Sequence, residues 1–256
     1  MAQKASIVLL TDFGNRDGYV GIMKGVIKHI LPSADIIDLA HDLPPQSILA
    51  AQFVLWNAYT FFPKGSIFVC VVDPGVGSKR KIRAYSFDNY TFIVPDNGVI
   101  DYVLAENKIT YAFDIENPKL MRSNISNSFH GRDIFAPVAA HLAKGFPITQ
   151  LGPTIGNFSY PSSPFISPEE AKQGEVHIIY EDRYGNLITN IKGEIQASSV
   201  SLQQRHIKLV SNYAAVEDGE LLIHQASHGL WEIAVRNGHA ASSLQLSMGD
   251  KIQLSF

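Results

Sequence analysis

The sequence predicts an α/β domain followed by an all-β domain, and three observations carry the prediction. Short apolar runs bounded by turn residues alternate with helical patterns over the first part of the chain, the habit of a mainly parallel sheet with helices on both faces. A stretch rich in proline and serine interrupts that pattern. Beyond it, short alternating segments dominate, as in a small barrel or sandwich.

Residues 7–10 are apolar throughout, which suits a strand buried on both faces. Next, Tyr19, Val20, Met23, Val26, Ile27, Ile30 and Leu31 recur at helical spacing, and Pro32 stops the pattern. A second strand is expected over 36–40, a second helix over 47–61 and a third strand over 66–72. This β-α-β-α-β order points to a doubly wound, Rossmann-like sheet with right-handed crossovers. Segments 82–87 and 90–94 flank Asp88-Asn89 as a hairpin. A short helix over 99–105 and a strand over 111–113 follow. Asp133 is expected to cap a helix running to Lys144, with Gly145 at its end and Pro137 tolerated in its first turn. Pro153, Pro161, Pro164 and Pro168, with interspersed serines, mark the linker. The expected domains are therefore 1–156 (α/β), 157–172 (linker) and 173–256 (barrel-like), the last with strands near 176–180, 187–191, 206–210, 221–223, 230–235 and 251–256.

The chain has 256 residues, 46% of them hydrophobic, enough for a sizeable core. The formal net charge is −3 and no Lys/Arg run occurs, so nucleic acid and anionic membranes are poor partners. The single cysteine, Cys70, cannot build a disulfide framework and reads as a small buried hydrophobe. A cytoplasmic protein is expected. No stretch approaches the ~18 apolar residues of a membrane span, and the N-terminus has no long apolar signal core.

Four strings carry chemistry-bearing residues. In Thr11-Asp12-Phe13-Gly14-Asn15-Arg16-Asp17-Gly18, two carboxylates stand at the end of the first strand, where ligands of α/β sheets bind. Asp12 suits a ribose diol and Asp17 an ammonium group; a helix cap and a solvated loop residue are the plain alternatives. The Asp-Phe-Gly string occurs without the other kinase signatures, so that match is accidental. In Asp73-Pro74-Gly75-Val76-Gly77-Ser78-Lys79-Arg80, glycines permit a tight turn that can bring Asp73 and Arg80 face to face, as a site or as a structural pair. A P-loop ending is absent. In Ser128-Phe129-His130-Gly131-Arg132-Asp133, His130 precedes a helix start and becomes a polarising group if it lies beside Asp73 and Arg80. Metal ligation by His41, Asp42, Asp73, Asp96 and His130 is the competing arrangement, without a zinc-type spacing to support it. In Asp182-Arg183-Tyr184-Gly185-Asn186, a hairpin tip offers Asn186 to an adenine edge and Tyr184 for stacking.

Taken together and in order, TDFGNRDGYVGIMKGVI, VVDPGVGSKR, PDNGV, SFHGRDIFAPVAAHLA, DRYGNLITNI and SHGLWEIAVRNGHAA resemble the S-adenosylmethionine hydroxide adenosyltransferase family, relatives of the fluorinating and chlorinating enzymes. The resemblance spans nearly the whole chain. It implies an N-terminal α/β domain, a C-terminal β-barrel domain and a homotrimer with sites between one subunit's first domain and its neighbour's second. It implies hydrolysis of S-adenosylmethionine to adenosine and methionine, with that molecule as substrate and no cofactor. The family's polar triad falls on Asp73, Arg80 and His130, its ribose-binding aspartate on Asp12 and its methionine-amine contact on Asp17. Asp182 and Asn186 match positions that contact methionine and adenine. Ser227 matches the serine that meets the methionine carboxylate, and the stretch Asn237 to His239 an adenine contact. His228 stands where the halogenating relatives carry arginine, and the Asp182–Asn186 spacing is one residue shorter than theirs. Those relatives also have Tyr-Pro at Asp73-Pro74, a serine-containing halide pocket at His130-Gly131 and an inserted loop not seen here. A carboxylate and a histidine suit water better than a halide. A halogenase-type enzyme using another nucleophile, a non-catalytic binding protein and a metal-dependent hydrolase are the rivals.

Overall fold

The computed structural model describes residues 5–255 and divides into two compact units, residues 1–162 and 163–256. The expected N-terminal start at 1–4 and the last residue of the expected strand over 251–256 lie outside the described residues.

In the first unit, β1 (Ser6–Thr11), α1 (Tyr19–Ile30), β2 (Asp35–Ala40), α2 (Ile48–Ala58) and β3 (Ile67–Val71) alternate as the pattern predicts. β1 is buried at every position, which explains its unbroken apolar run. It lies between β2 and β3, parallel to both. The chain then adds β4 (Ile82–Phe87), β5 (Tyr90–Pro95), α3 (Asp101–Glu106), β6 (Tyr111–Asp114) and, after a π-helical turn over Gly131–Phe135, α4 (Ala136–Ala143). The sheet order is β2-β1-β3-β5-β4-β6. β5 continues the parallel set, whereas β4 runs antiparallel to both its neighbours. Four adjacent strands, β2, β1, β3 and β5, thus form the parallel set, while the β4–β5 hairpin folds back into the sheet and β6 closes its edge. Ile7, Leu9, Val69 and Val71 pack with Met23 and Ile27 of α1 and Val138 and Ala139 of α4. Each such aliphatic side chain contributes about 1.5–3 kcal/mol through burial. α2 packs on β1 and against α3.

Two element expectations need correction. α2 ends at Ala58 and a 3-10 turn, Tyr59–Phe61, replaces its expected last turn ahead of Pro63. Asp133 does not cap a helix. It sits inside the π turn, fully buried, where its carboxylate accepts the Ser126 N–H and pairs with Arg122 and Arg132.

The second unit opens with α5 (Pro168–Gln173), which lies in the stretch expected to be linker. Ser167 and Glu170 form a capping box there, with Pro168 in the first turn. Seven strands follow: β7 (Val176–Glu181), β8 (Leu187–Lys192), β9 (Ser199–Leu202), β10 (Arg205–Leu209), β11 (Leu221–Gln225), β12 (Leu230–Val235) and β13 (Lys251–Ile252), in the order β13-β7-β8-β12-β11-β10-β9. Ser201 of β9 and Ser255, just past β13, form an antiparallel bridge, so the sheet curls until its two edges meet. With α5 and α6 (Ala240–Leu244) present, the unit is not purely β.

Candidate active site

β1 leads the chain to β2 on one side of the sheet, and β3 leads it towards β5 on the other. Between the carboxyl ends of β1 and β3 the sheet thus has a topological switch point, where α/β folds bind ligands. A cavity of about 290 Å³ opens there, lined by Asp12, Phe13, Gln46, Asp73, Phe129 and His130 among others.

The loop after β3 carries Asp73 and Arg80, and both side chains are almost fully buried. Arg80 Nε donates to both Asp73 oxygens, at 2.9 and 3.0 Å, and Nη2 donates to Oδ2. Nη2 also lies 2.8 Å from His130 Nδ1. A guanidinium has no acceptor, so His130 Nδ1 must accept that bond. The neutral ring then carries its proton on Nε2, a donor. Burial and the neighbouring Arg80 charge depress the His130 pKa from its ordinary 6.5, against the opposing pull of Asp73 and Asp133.

His130 is neutral at pH 7 and protonates only below its ordinary range. An imidazolium cannot accept from Arg80, so the cluster fails on the acid side and is untouched as pH rises. The kcat profile is expected to show an acid limb with its midpoint below 6.5 that disappears in His130→Gln. A limb centred above 6.5, or one that persists in the variant, would assign it to another group.

Local sequence explains how these side chains meet. Gly77 has φ 77° and packs so tightly on the Asn127 carbonyl oxygen that a Cβ there would collide with it. This contact seats the Arg80 loop on the His130 loop. Asn97, from the PDNGV string, donates to the Val72 carbonyl at 2.9 Å and steadies the end of β3. Buried Asp133 anchors the 122–126 segment that leads into His130.

Asp12 is no helix cap. α1 starts at Gly18 without a side-chain cap, and Asp12 Oδ2 instead accepts the Gln46 N–H at 2.7 Å. Asp12 also lines the cavity. Asp17 is exposed and is not among the cavity-lining residues. Gln46, at φ 63°, and the Phe13–Phe129 pair, 5.9 Å apart and edge-on, are wall residues the sequence did not single out. A left-handed glutamine has no local signature. The two phenylalanines did stand inside quoted strings, and their neighbourhood with Asp12 and His130 was the available signal.

Among the described residues, no three or more His, Cys, Asp or Glu side chains are grouped so as to hold a metal ion, and the residues of the competing metal arrangement have other partners. Asp73 and His130 hold Arg80, His41 contacts Thr11, Asp42 receives Asn15 and Asp96 pairs with Arg83. Burial pushes the Cys70 thiol far up, so it is inert. No helix among the described residues is long and apolar enough to cross a membrane.

In the second unit, Asp182 and Asn186 bind each other. Asp182 Oδ1 accepts the N–H groups of Tyr184 and Asn186, and Oδ2 accepts Asn186 Nδ2 at 2.9 Å. Asp182 thus shapes the turn, and its own N–H donates to the Asn186 backbone carbonyl at 3.1 Å. Gly185, at φ 80°, lies flat against the His239 ring, where any Cβ would collide. His239 caps α6 by accepting the Ser242 N–H. Tyr184 is 75% exposed, a surface aromatic without an intramolecular wall. Ser227 is exposed in the β11–β12 turn, beside His228, whose pKa burial lowers. Asn237 has φ 51° and its amide donates to Asp218. The structure therefore gathers Asp182, Asn186 and His239 round Gly185, with Ser227 and Asn237 on other turns.

Residues 7–152 match the SAM hydroxide adenosyltransferase N-terminal domain model, and residues 176–253 match the C-terminal domain model of the same name. An (R)-S-adenosyl-L-methionine hydrolase from Thermus thermophilus is 34% identical, with 97% of this chain and 98% of that protein covered. A crystal structure of an uncharacterized conserved protein from Thermotoga maritima superposes with a TM-score of 0.87 at 36% identity, over 98% of this chain and 100% of that one. A fluorinase from Actinoplanes sp. is 24% identical over 77% of this chain and 75% of its own length. The two domain models in succession, and full-length identity above 30%, show that the chain belongs to the SAM hydroxide adenosyltransferase family.

Proposed function

We propose that the protein hydrolyses S-adenosyl-L-methionine, in the (R) configuration at sulfur that its hydrolase relatives are named for, to adenosine and L-methionine. The observation that carries this reading is the Asp73–Arg80–His130 cluster at a cavity whose other wall holds Asp12. The sulfonium leaves C5′ as a neutral thioether, so no acid need protonate it. Water must attack C5′ in line with the C5′–S bond. The C5′–O bond forms while the C5′–S electron pair returns to sulfur. His130 Nε2–H is a donor, so it holds the water oxygen rather than taking its proton. Asp73 is the remaining anion of the cluster and accepts the proton, with Arg80 keeping it in place. Holding water and C5′ at near-attack distance supplies several kcal/mol. Phe13 and Phe129 give the cavity an apolar wall, and water displaced from it by the substrate favours the annihilation of opposite charges.

Asp12 binds the ribose diol through its carboxylate, and Asp17 lies towards the methionine ammonium. Asp182, Tyr184, Asn186, Ser227, Asn237 and His239 bind the methionine and adenine ends. The resemblance to the family supports a homotrimer in which a neighbour's second domain completes each site. One buried thiol suits a reducing cytoplasm.

The test is product identification. With the (R) epimer in ¹⁸O water, labelled adenosine and methionine are expected in equal amounts, unchanged by added chloride or fluoride and by chelator. A halogenated nucleoside would establish the halogenase reading. Co-purified ligand without turnover would establish a binding protein, and loss of activity with chelator a metal enzyme.

A further inference from the structure

Beneath the cavity, a buried polar chain touches none of the groups assigned to chemistry. Thr11, the last residue of β1, is fully buried and its Oγ1 lies 2.8 Å from His41 Nδ1. His41 follows β2 and is only 3% exposed. Its Nε2 stands 3.0 Å from Asp38 Oδ1, out of line for a hydrogen bond, and Asp38 Oδ2 takes Lys24 Nζ at 2.5 Å. Burying a histidine and a threonine hydroxyl costs free energy unless both are paired, so the arrangement calls for a purpose.

The ring orientation follows from its neighbours. A bare Nε2 lone pair facing the Asp38 carboxylate is repulsive, so Nε2 carries the proton. In the neutral ring Nδ1 then accepts, and the Thr11 O–H must donate to it. The Thr11 oxygen is left to accept the Phe13 N–H, at 3.3 Å. The chain runs Phe13 N–H, Thr11 O–H, His41, with the Asp38 carboxylate facing the far ring nitrogen at 3.0 Å. It begins at the peptide directly after Asp12.

His41 also grips the same loop through its backbone, whose carbonyl accepts the Gly14 N–H at 2.8 Å. Asp42 accepts the Asn15 N–H and its amide. Gln46, a few residues on, donates to Asp12 itself. The 41–46 segment therefore meets the Asp12 loop at Asp12, Gly14 and Asn15, and His41 is its buried polar side chain.

We propose that Thr11 and His41 are positioning residues for the ribose anchor: they fix the Phe13 peptide, and hence the direction of the Asp12 carboxylate, without touching the nucleoside. This rests on the reading of Asp12 as the ribose ligand. Thr11 and His41 are not among the cavity-lining residues and hydrogen-bond to none of Asp73, Arg80 and His130, so their effect falls on binding rather than on bond breaking.

The experiment is adenosine calorimetry with parallel steady-state kinetics. Thr11→Val replaces the hydroxyl by a methyl of equal size and strands His41 Nδ1. His41→Gln takes the acceptor away from the Nδ1 position, its amide lying nearer that of Nε2, and so leaves the Thr11 hydroxyl without its partner. Each is expected to weaken adenosine binding and raise KM by about tenfold, with kcat changed by less than about threefold, the size expected for one stranded buried polar group. Thr11→Ser keeps the hydroxyl and restores wild-type affinity. The double variant Thr11→Val/His41→Gln binds no worse than the weaker single, because both break one chain. Adenosine affinity within twofold of wild type in both folded single variants would overturn the proposal. So would losses that multiply in the double variant, or a fall confined to kcat. Wild-type protein that fails to bind adenosine, or an Asp12→Ala variant that binds it normally, would instead refute the assignment of Asp12.

Discussion

Asp73→Asn is expected to lower adenosine formation by about 10²–10⁴-fold, the usual worth of a positioned base, while adenosine itself binds as before. The reason lies in the Arg80 fork. The Asp73 carboxylate accepts both the Nε and Nη2 hydrogens of Arg80. An asparagine offers one oxygen and turns an NH₂ group towards a cation that has no acceptor. Arg80 loses half its seat, His130 Nδ1 loses the orientation of its donor, and no anion remains to receive a proton. Single-turnover assays separate this chemical loss from product release. Near-wild-type turnover would remove Asp73 as the base, and an equal collapse of adenosine affinity would make it a binding residue.

Gly77→Ala is expected to do comparable damage from outside the chemistry. Its backbone sits at φ 77°, a conformation that costs an L-residue about 1–3 kcal/mol. The added Cβ also meets the Asn127 carbonyl, a rigid backbone atom that cannot swing away. Relief requires the Asp73–Arg80 loop to lift from the loop carrying His130. A loss of stability of about 2 kcal/mol and a fall in kcat of about tenfold or more should appear together. Gly75→Ala is the control: its φ is not positive, and its Cβ would meet side-chain atoms of Arg80 and Ser78 at 3.4 and 3.5 Å. Unchanged melting temperature and kcat in Gly77→Ala would show that the two loops do not depend on this contact.

These residues differ in how visible they were in the chain. Asp73 and Arg80 are seven residues apart across two glycines, so their meeting is local and the spacing announced it. His130 joins them from 50 residues away, and only the ordered set of strings indicated the convergence. The β4–β5 hairpin was legible from Asp88-Asn89, both at positive φ. Its seat between β3 and β6 was not, because strand pairing is non-local and no short pattern encodes it. Asp133 misled for a physical reason: an aspartate before an apolar helical run is what a cap looks like, but here two arginines and the Ser126 N–H make full burial affordable. Gln46 and the Thr11–His41 chain left no trace, since neither a left-handed glutamine nor a buried hydroxyl alters hydrophobic periodicity. In the second unit the Asp182 turn was read correctly as a hairpin tip, but not the Gly185–His239 contact that ties it to α6.

The π turn at Gly131–Phe135 ties the position of His130 to the length of its segment. Its ring closes from the Ala136 N–H to the Gly131 carbonyl, one residue wider than an α-helix. α4 beyond it is locked by Ala136, Val138, Ala139 and Ala140, all without exposed surface. Losing one residue from the turn restores a regular helix and swings everything ahead of it by about 100° round the axis. His130 is then carried away from Arg80, although every side chain of the triad is still encoded. A one-residue deletion here is expected to take His130 out of reach of Arg80 with all three side chains retained, so the length of this segment matters alongside the identity of its residues.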